Sequence, residues 1–157
     1  MQKYIDGFVN ALQWLTGALF LVLFLLNILR IALRYFFGIS WLWVPDFSRL
    51  LFIWVVFLGT TVLYARKEHL EMDFFVTKMS PAHQRKLQRI RDAVLTGFLM
   101  ILMMKGIEIT QVRMRIPFDT WDLPTGYAYL AIPVCSSVML LITLTRDIAY
   151  FKQGENL

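Results

Sequence analysis

The chain has 157 residues, of which 58% are hydrophobic and 15% aromatic, and its mean hydropathy is +0.58. A soluble domain is usually about 45 to 50% apolar, so the composition excludes an ordinary soluble domain and predicts a polytopic membrane protein. The formal net charge of +5 could suggest binding to nucleic acid. The basic residues interrupt or flank apolar runs, however, so we expect no nucleic-acid partner.

The first half of the chain predicts two transmembrane helices. The apolar run at residues 8–29 is longer than the hydrophobic core of a signal peptide, so we expect it to remain in the mature chain. The apolar pattern continues beyond this run, which predicts a first helix over 8–37, ended by Gly38. Pro45 suits the first turn of a second helix, predicted over 45–64, because its missing N–H costs nothing there.

The second half predicts two more helices. Pro81 follows a serine, a good N-cap, and so begins a third helix predicted over 81–112. A fourth is predicted over 125–145, with Pro133 inside it as a kink that frees a backbone carbonyl. The sequence therefore predicts an all-α membrane protein in which residues 1–157 form a single four-helix membrane domain.

The orientation follows from the distribution of lysine and arginine. Cytoplasmic segments carry an excess of basic residues, and a cytoplasmic N-terminus puts most of them on that side. The cytoplasmic set would be Lys3, Arg66, Lys67, Lys78, Arg85, Lys86, Arg89, Arg91, Arg146 and Lys152, against Arg30, Arg34, Arg49, Arg113 and Arg115 at or near the outer edge. We therefore expect both termini, and the basic loop between helices 2 and 3, to be cytoplasmic.

A group of polar residues lies near the predicted outer edge of helices 1 and 2. Asn27, Arg30 and Arg34 are spaced to share one stripe of helix 1, while Asp46 and Arg49 lie one turn apart on helix 2. A charge in hydrocarbon costs roughly 2.5 to 3.5 kcal/mol on insertion scales. The pattern favours a structural ion-pair cluster that joins the two helices. Contact with a partner subunit or an anionic lipid, and a direct substrate site, remain open alternatives.

Helix 3 carries a second polar feature within its apolar part. Lys105 and Glu108 lie one turn apart, which favours mutual neutralisation within the helix. A polar bond across a subunit interface and a proton relay are the alternatives.

The sequence does not predict an enzyme or a cofactor. His69 and His83 fall outside the apolar spans, where axial haem ligands of a membrane bundle would have to lie. No catalytic triad, zinc-protease motif or phosphate-binding loop is present in the sequence. We therefore expect no metal, cofactor or catalytic residue in this chain.

A succession of short motifs carries a resemblance to a known family. The motifs are Asn27-x-x-x-Ile31-x-x-Arg34-Tyr35-x-Phe37, Trp43-x-x-Asp46-x-x-Arg49, Trp54-x-x-Phe57-Leu58-Gly59, His69-x-x-x-Asp73, and finally Leu123-Pro124 and Ile132-Pro133. This order resembles the small membrane subunit of TRAP transporters, the DctQ type, over nearly the whole chain. Asp46 is one departure, because the family more often has Glu there, and it keeps the charge.

The resemblance implies a tripartite, sodium-driven importer of organic acid anions in the bacterial inner membrane. Its partners would be a large DctM-type permease subunit, which carries the sodium and substrate sites, and a periplasmic substrate-binding protein. The small subunit would be a scaffold in contact with membrane lipids. Its outer edge, around Ser40, Trp41, Asp119 and Trp121, would then be available to the binding protein.

Two functions from other classes are alternatives. A self-sufficient homodimeric exporter of four-helix subunits usually needs an acidic residue within its first span, and helix 1 has Asn27, Arg30 and Arg34 instead. A membrane anchor for a redox complex is opposed by the placement of the histidines.

Overall fold

The computed structural model describes the backbone of residues 2–66 and 81–154, and the side chains of residues 7–66 and 90–145. The helices are α1 (Gln2–Phe37), α2 (Val44–Ala65), α3 (Pro81–Arg113), the short α4 (Gly126–Tyr129) and α5 (Ala131–Gly154). The four segments long and apolar enough to cross a membrane are Gly7–Phe37, Val44–Ala65, Ile90–Arg113 and Gly126–Thr145. The all-helical class and the four spans are therefore confirmed for the described residues. The orientation remains a prediction, and residues 67–80 of the basic loop lie outside the described part.

Two helices are longer than predicted. α1 begins at Gln2 rather than near residue 8, and α5 continues to Gly154 rather than ending near residue 145. Both extensions carry charged or polar residues, such as Lys3 and Lys152, and neither contains a proline that would end the helix. The end of an apolar run therefore marked the membrane edge and not the end of the helix.

The last span is interrupted near Pro133, as predicted. The helix breaks at Leu130, between α4 and α5. Pro133 has no N–H to donate to the carbonyl four residues earlier, that of Tyr129. The neighbouring bonds remain, from Leu130 N–H to the Gly126 carbonyl at 2.9 Å and from Val134 N–H to the Leu130 carbonyl at 3.2 Å. The interruption of the helix is thus limited to Leu130.

Both connections at one end of the molecule, residues 38–43 and 114–125, have defined conformations, and we call this end the loop end. Gly38 has a φ of 69°, which a side chain would strain, and this turn lets the Ile39 N–H donate to the Leu33 carbonyl at 3.2 Å. The second connection is a hairpin. In it Phe118 N–H donates to the Leu123 carbonyl at 3.0 Å, and Thr125 N–H to the Ile116 carbonyl at 2.8 Å.

The four long helices pack in a row. α1 packs against α2, α2 against α5, and α5 against α3, so α1 and α3 lie at opposite ends of this helix row. Gly106 allows the close approach of α3 to α5, because a Cβ there would lie 2.7 Å from Ile132 Cγ2. Buried residues such as Leu51, Leu99 and Met139 fill the middle of the row. The outward faces of α1 and α3 remain exposed and largely apolar.

Candidate interface site

Asn27 joins α1 to α2 near the loop end. Its Nδ2 donates to the Leu23 carbonyl at 2.8 Å and to Ser48 Oγ on α2 at 3.2 Å. The side chain thus makes one hydrogen bond within α1 and one to α2. A half-buried amide with both contacts contributes to the pairing of two membrane helices, where such bonds are worth about 0.6 to 2 kcal/mol.

Asp46 is held by the hairpin and not by an arginine. Its side chain is buried, and Oδ2 accepts hydrogen bonds from Thr120 N–H at 3.0 Å and from Thr120 Oγ1 at 2.6 Å. The ion pairs within residues 7–66 and 90–145 are Arg91 with Asp92 and Lys105 with Glu108. The expected ion-pair cluster of Asp46 with Arg30, Arg34 and Arg49 is therefore not formed.

The physical reason for this difference is the fold of the hairpin over the start of α2. It brings a backbone N–H and a hydroxyl to the carboxylate, and a charge-assisted bond of this kind is worth about 1.5 to 3 kcal/mol. Arg34 and Arg49 are exposed and Arg30 is half-buried. Their stems can lie along apolar surface while the guanidinium groups reach the headgroup region.

Tyr129 contacts two arginines at the loop end. Its hydroxyl accepts a hydrogen bond from Arg49 Nη2 at 3.2 Å, and the Arg113 guanidinium carbon lies 5.4 Å from the centre of its ring. The first contact ties α2 to α4, and the second adds the end of α3 through a cation–π interaction. Tyr129 was not predicted as a site residue. Its position in the first turn of the predicted fourth helix, near the membrane interface, was the one sequence signal for this role.

A row of aromatic rings continues from this region across the loop end. Successive rings lie about 6 Å apart between centroids, in the order Trp41, Trp43, Phe47, Trp121 and Phe118. The row joins the 38–43 connection to the hairpin through α2. Such aromatic contacts are worth about 0.5 to 1.5 kcal/mol each beyond their buried area, so the two connections stabilise one another.

The four residues predicted to dock a binding protein are divided by this arrangement. Ser40, Trp41 and Asp119 are exposed, whereas Trp121 is half-buried within the aromatic row. The Nε1 of Trp121 is buried and has no hydrogen-bond partner within the described chain. Because Trp121 packs within the aromatic row, it supports the hairpin that carries Asp119.

Lys105 and Glu108 form an ion pair on the outward side of α3. Lys105 Nζ donates to Glu108 Oε2 at 2.7 Å, and their side chains are 67% and 64% exposed. The predicted pairing within the helix is formed. Because both side chains are largely exposed, the pair lies on a surface open to a partner.

The described residues contain no group of three His, Cys, Asp or Glu side chains that could hold a metal ion. His69 lies outside the described residues, and the side chain of His83 does as well. The absence of a metal or cofactor site in the whole chain remains a prediction.

The family model of tripartite ATP-independent periplasmic transporters, DctQ component, matches residues 23–151. The chain belongs to the DctQ family. The matched range contains every polar residue and ring of the loop end described above, and the Lys105–Glu108 pair. The family is a transporter component, and the resemblance predicted from the sequence is confirmed.

Three Haemophilus influenzae proteins are similar to this DctQ chain. Two are assigned as TRAP transporter small permease proteins, one 27% identical over 99% of both chains and one 22% identical over 98% of this chain and 92% of the relative. The third is the sialic acid TRAP transporter permease protein SiaT, 26% identical over 95% of this chain. This chain spans only 24% of the length of SiaT.

Proposed function

We propose that this chain is the small membrane subunit of a sodium-driven TRAP importer of organic acid anions in the bacterial inner membrane. It acts as a scaffold for a large DctM-type permease subunit, in which the sodium and substrate sites lie. It also helps to dock a periplasmic substrate-binding protein at its loop end. Family membership and the four spans support this proposal.

The observation that carries the scaffold role is the division of polar groups between two surfaces. At the loop end, Asn27, Asp46 and Arg49 bind other parts of the same chain. Within the span of α3, the Lys105–Glu108 pair faces outward. A scaffold requires both features, because its own helices must be held together while one surface remains for a larger partner.

The similarity to SiaT supports a partner within the membrane. That permease contains a segment similar to this chain, and the match leaves about three quarters of SiaT outside it. A small-subunit-like segment can thus share one polypeptide with a longer permease. We propose that the same two parts associate here as separate chains, and sialic acid is the first candidate cargo to test.

The exposed part of the loop end supports the docking role. Ser40, Trp41 and Asp119 are exposed on two connections that the aromatic row holds together. A rigid edge lowers the entropic cost of binding a partner. We propose contact through these three residues, with Trp121 as support beneath them.

The test is uptake into proteoliposomes under a sodium gradient. We expect vesicles with permease, binding protein and this chain to accumulate a cargo from a panel of a sialic acid, a C4-dicarboxylate, a keto acid and a sugar acid. Vesicles without this chain should show little uptake, and the isolated chain should give no binding heat with any of these acids. Full uptake without the chain, or a saturable heat from it alone, would contradict the scaffold role.

A further inference from the structure

Six outward residues of α3 form a regular stripe. They are spaced alternately four and three residues apart, the 3.5-residue repeat of side chains that pack against a partner helix. They are Val94, Phe98, Ile101, Lys105, Glu108 and Val112, which we call the α3 stripe. All are between 58% and 67% exposed. The buried residues Leu99, Gly106 and Thr110 lie on another side of α3, and Gly106 faces α5.

The ion pair within this stripe lies deep in the predicted span. From the middle of Ile90–Arg113, Lys105 is displaced by about 5 Å and Glu108 by about 10 Å at a rise of 1.5 Å per residue. The hydrocarbon core extends about 15 Å on each side of its midplane. Both charges therefore fall within hydrocarbon if lipid covers the stripe.

The pair does not satisfy its own hydrogen-bonding capacity. One bond at 2.7 Å joins Nζ to Oε2, whereas an ammonium has three donors and a carboxylate can accept about four bonds. Ionisable residues within membrane spans almost always face protein or a water-filled cavity for this reason. The stripe therefore favours a partner that supplies polar groups over a covering of lipid.

The opposite end of the helix row has a smaller requirement, because Arg30 on α1, about 12 Å from the middle of Gly7–Phe37, can reach the headgroups with its long side chain. On α1, Thr16 Oγ1 donates to the Leu12 carbonyl at 2.7 Å, and Asn27 is bound by its own helix and by Ser48. Asn10 and Gln13 accept hydrogen bonds from Arg66. The rest of the exposed α1 face over residues 14–29 is apolar, and lipid can cover it without cost.

We propose that the α3 stripe is the surface that joins the large permease subunit, and that the α1 face is left to lipid. The occupant is a permease transmembrane helix that packs along the stripe. It presents a hydrogen-bond acceptor to Lys105 and a donor to Glu108. This inference rests on the proposed function, because it names the face through which the scaffold contacts its permease.

Site-specific photo-crosslinking in the assembled complex tests the choice of face. Phe98 on the stripe and Phe24 on α1 are matched in type and in exposure, at 59% and 54%. Each is replaced in turn by benzoylphenylalanine in membranes that contain the permease. We expect irradiation to give an adduct with the permease from position 98 and none above background from position 24. The reverse result would overturn the proposal, as would an adduct at position 98 of twice the 18.5 kDa chain mass, which marks a second copy.

A double variant, Lys105→Leu with Glu108→Leu, tests the polar contact. It should reduce the permease recovered with this chain about fivefold, the effect of losing one interhelical bond of about 1 kcal/mol. The variant Met104→Leu, off the stripe but equally exposed, should leave recovery unchanged. The thermal stability of the isolated subunit should be equal or higher in the double variant. Unchanged recovery with the double variant would overturn the polar contact.

The two experiments distinguish a wrong choice of helix face from a wrong scaffold role. If the unmodified chain recovers the permease but position 98 gives no adduct with it, the face is wrong and the scaffold role stands. If the unmodified chain recovers no permease and uptake does not depend on it, the proposed function itself is contradicted.

Discussion

Replacing Asp46 by alanine should destabilise the subunit by about 3 kcal/mol. Asp46 is 8% exposed, and its carboxylate accepts one bond from the Thr120 N–H at 3.0 Å and one from Thr120 Oγ1 at 2.6 Å. A bond to a charged group contributes about 1.5 to 3 kcal/mol. The loop end lies at the ends of the apolar spans, where water can compensate in part, so we take the lower value for each bond.

The hydroxyl bond can be separated from the backbone bond by a double-mutant cycle. Thr120→Val removes the hydroxyl bond alone and should cost about 1.5 kcal/mol. In an Asp46→Ala background the same change should cost almost nothing, which gives a coupling energy of about 1.5 kcal/mol. Thr120→Ser retains the hydroxyl and is the matched control. Asp46→Glu keeps the charge and should cost less than Asp46→Ala.

The measurement is denaturant or thermal unfolding of the purified subunit in mild detergent, followed by tryptophan fluorescence. By the scaling for domains of this size, 3 kcal/mol corresponds to a fall of about 6 to 12 °C in the melting temperature. Additive effects of Asp46→Ala and Thr120→Val would refute the reasoning. So would an Arg49→Gln background in which Asp46→Ala becomes harmless, because that result would restore an ion pair as the origin of the stability.

Two further predictions concern topology and helix packing. Reporter fusions should indicate the periplasm at Asp119 and the cytoplasm at Lys3, His83 and Glu155. A periplasmic signal at His83 would refute the orientation. Gly106→Ala should cost about 1 to 3 kcal/mol in the unfolding assay, because its Cβ would lie 2.7 Å from Ile132 Cγ2. Gly97→Ala is the control on the same helix, where a Cβ meets nothing within 4 Å. It should be neutral or stabilising by up to about 1 kcal/mol. Equal losses of stability from both variants would contradict the packing of α3 on α5.

The sequence was sufficient to predict the spans and the positions of their breaks. Four apolar runs of sufficient length predict four crossing helices in any arrangement, because backbone groups in hydrocarbon must bond within their own segment. Gly38, Pro45 and Pro133 act through local backbone geometry, which does not depend on the rest of the fold. The ends of α1 and α5 were less predictable, because polar residues that leave the membrane can continue a helix.

The partners of the polar residues could not be predicted in the same way. Spacing along a helix placed Arg49 one turn from Asp46, but the carboxylate binds Thr120, 74 residues away in the chain. Tyr129, the partner of Arg49, is 80 residues away. Helices of similar hydropathy also give no signal for their order in the row. These contacts depend on how the hairpin folds over α2, which is a tertiary property.

The distribution of hydrogen bonds also bears on the order of assembly. Asn27, Asp46 and Arg49 find partners within the chain, so the helix row can be held together before a permease is present. Lys105 and Glu108 are one turn apart and neutralise one another within α3, which lowers the cost of inserting that helix alone. The pair keeps unused donors and acceptors, however, and these become favourable only when a polar partner helix replaces lipid. Under the proposed function, a subunit that is held together by its own contacts and keeps this polar contact for a partner is suited to fold first and then bind the permease.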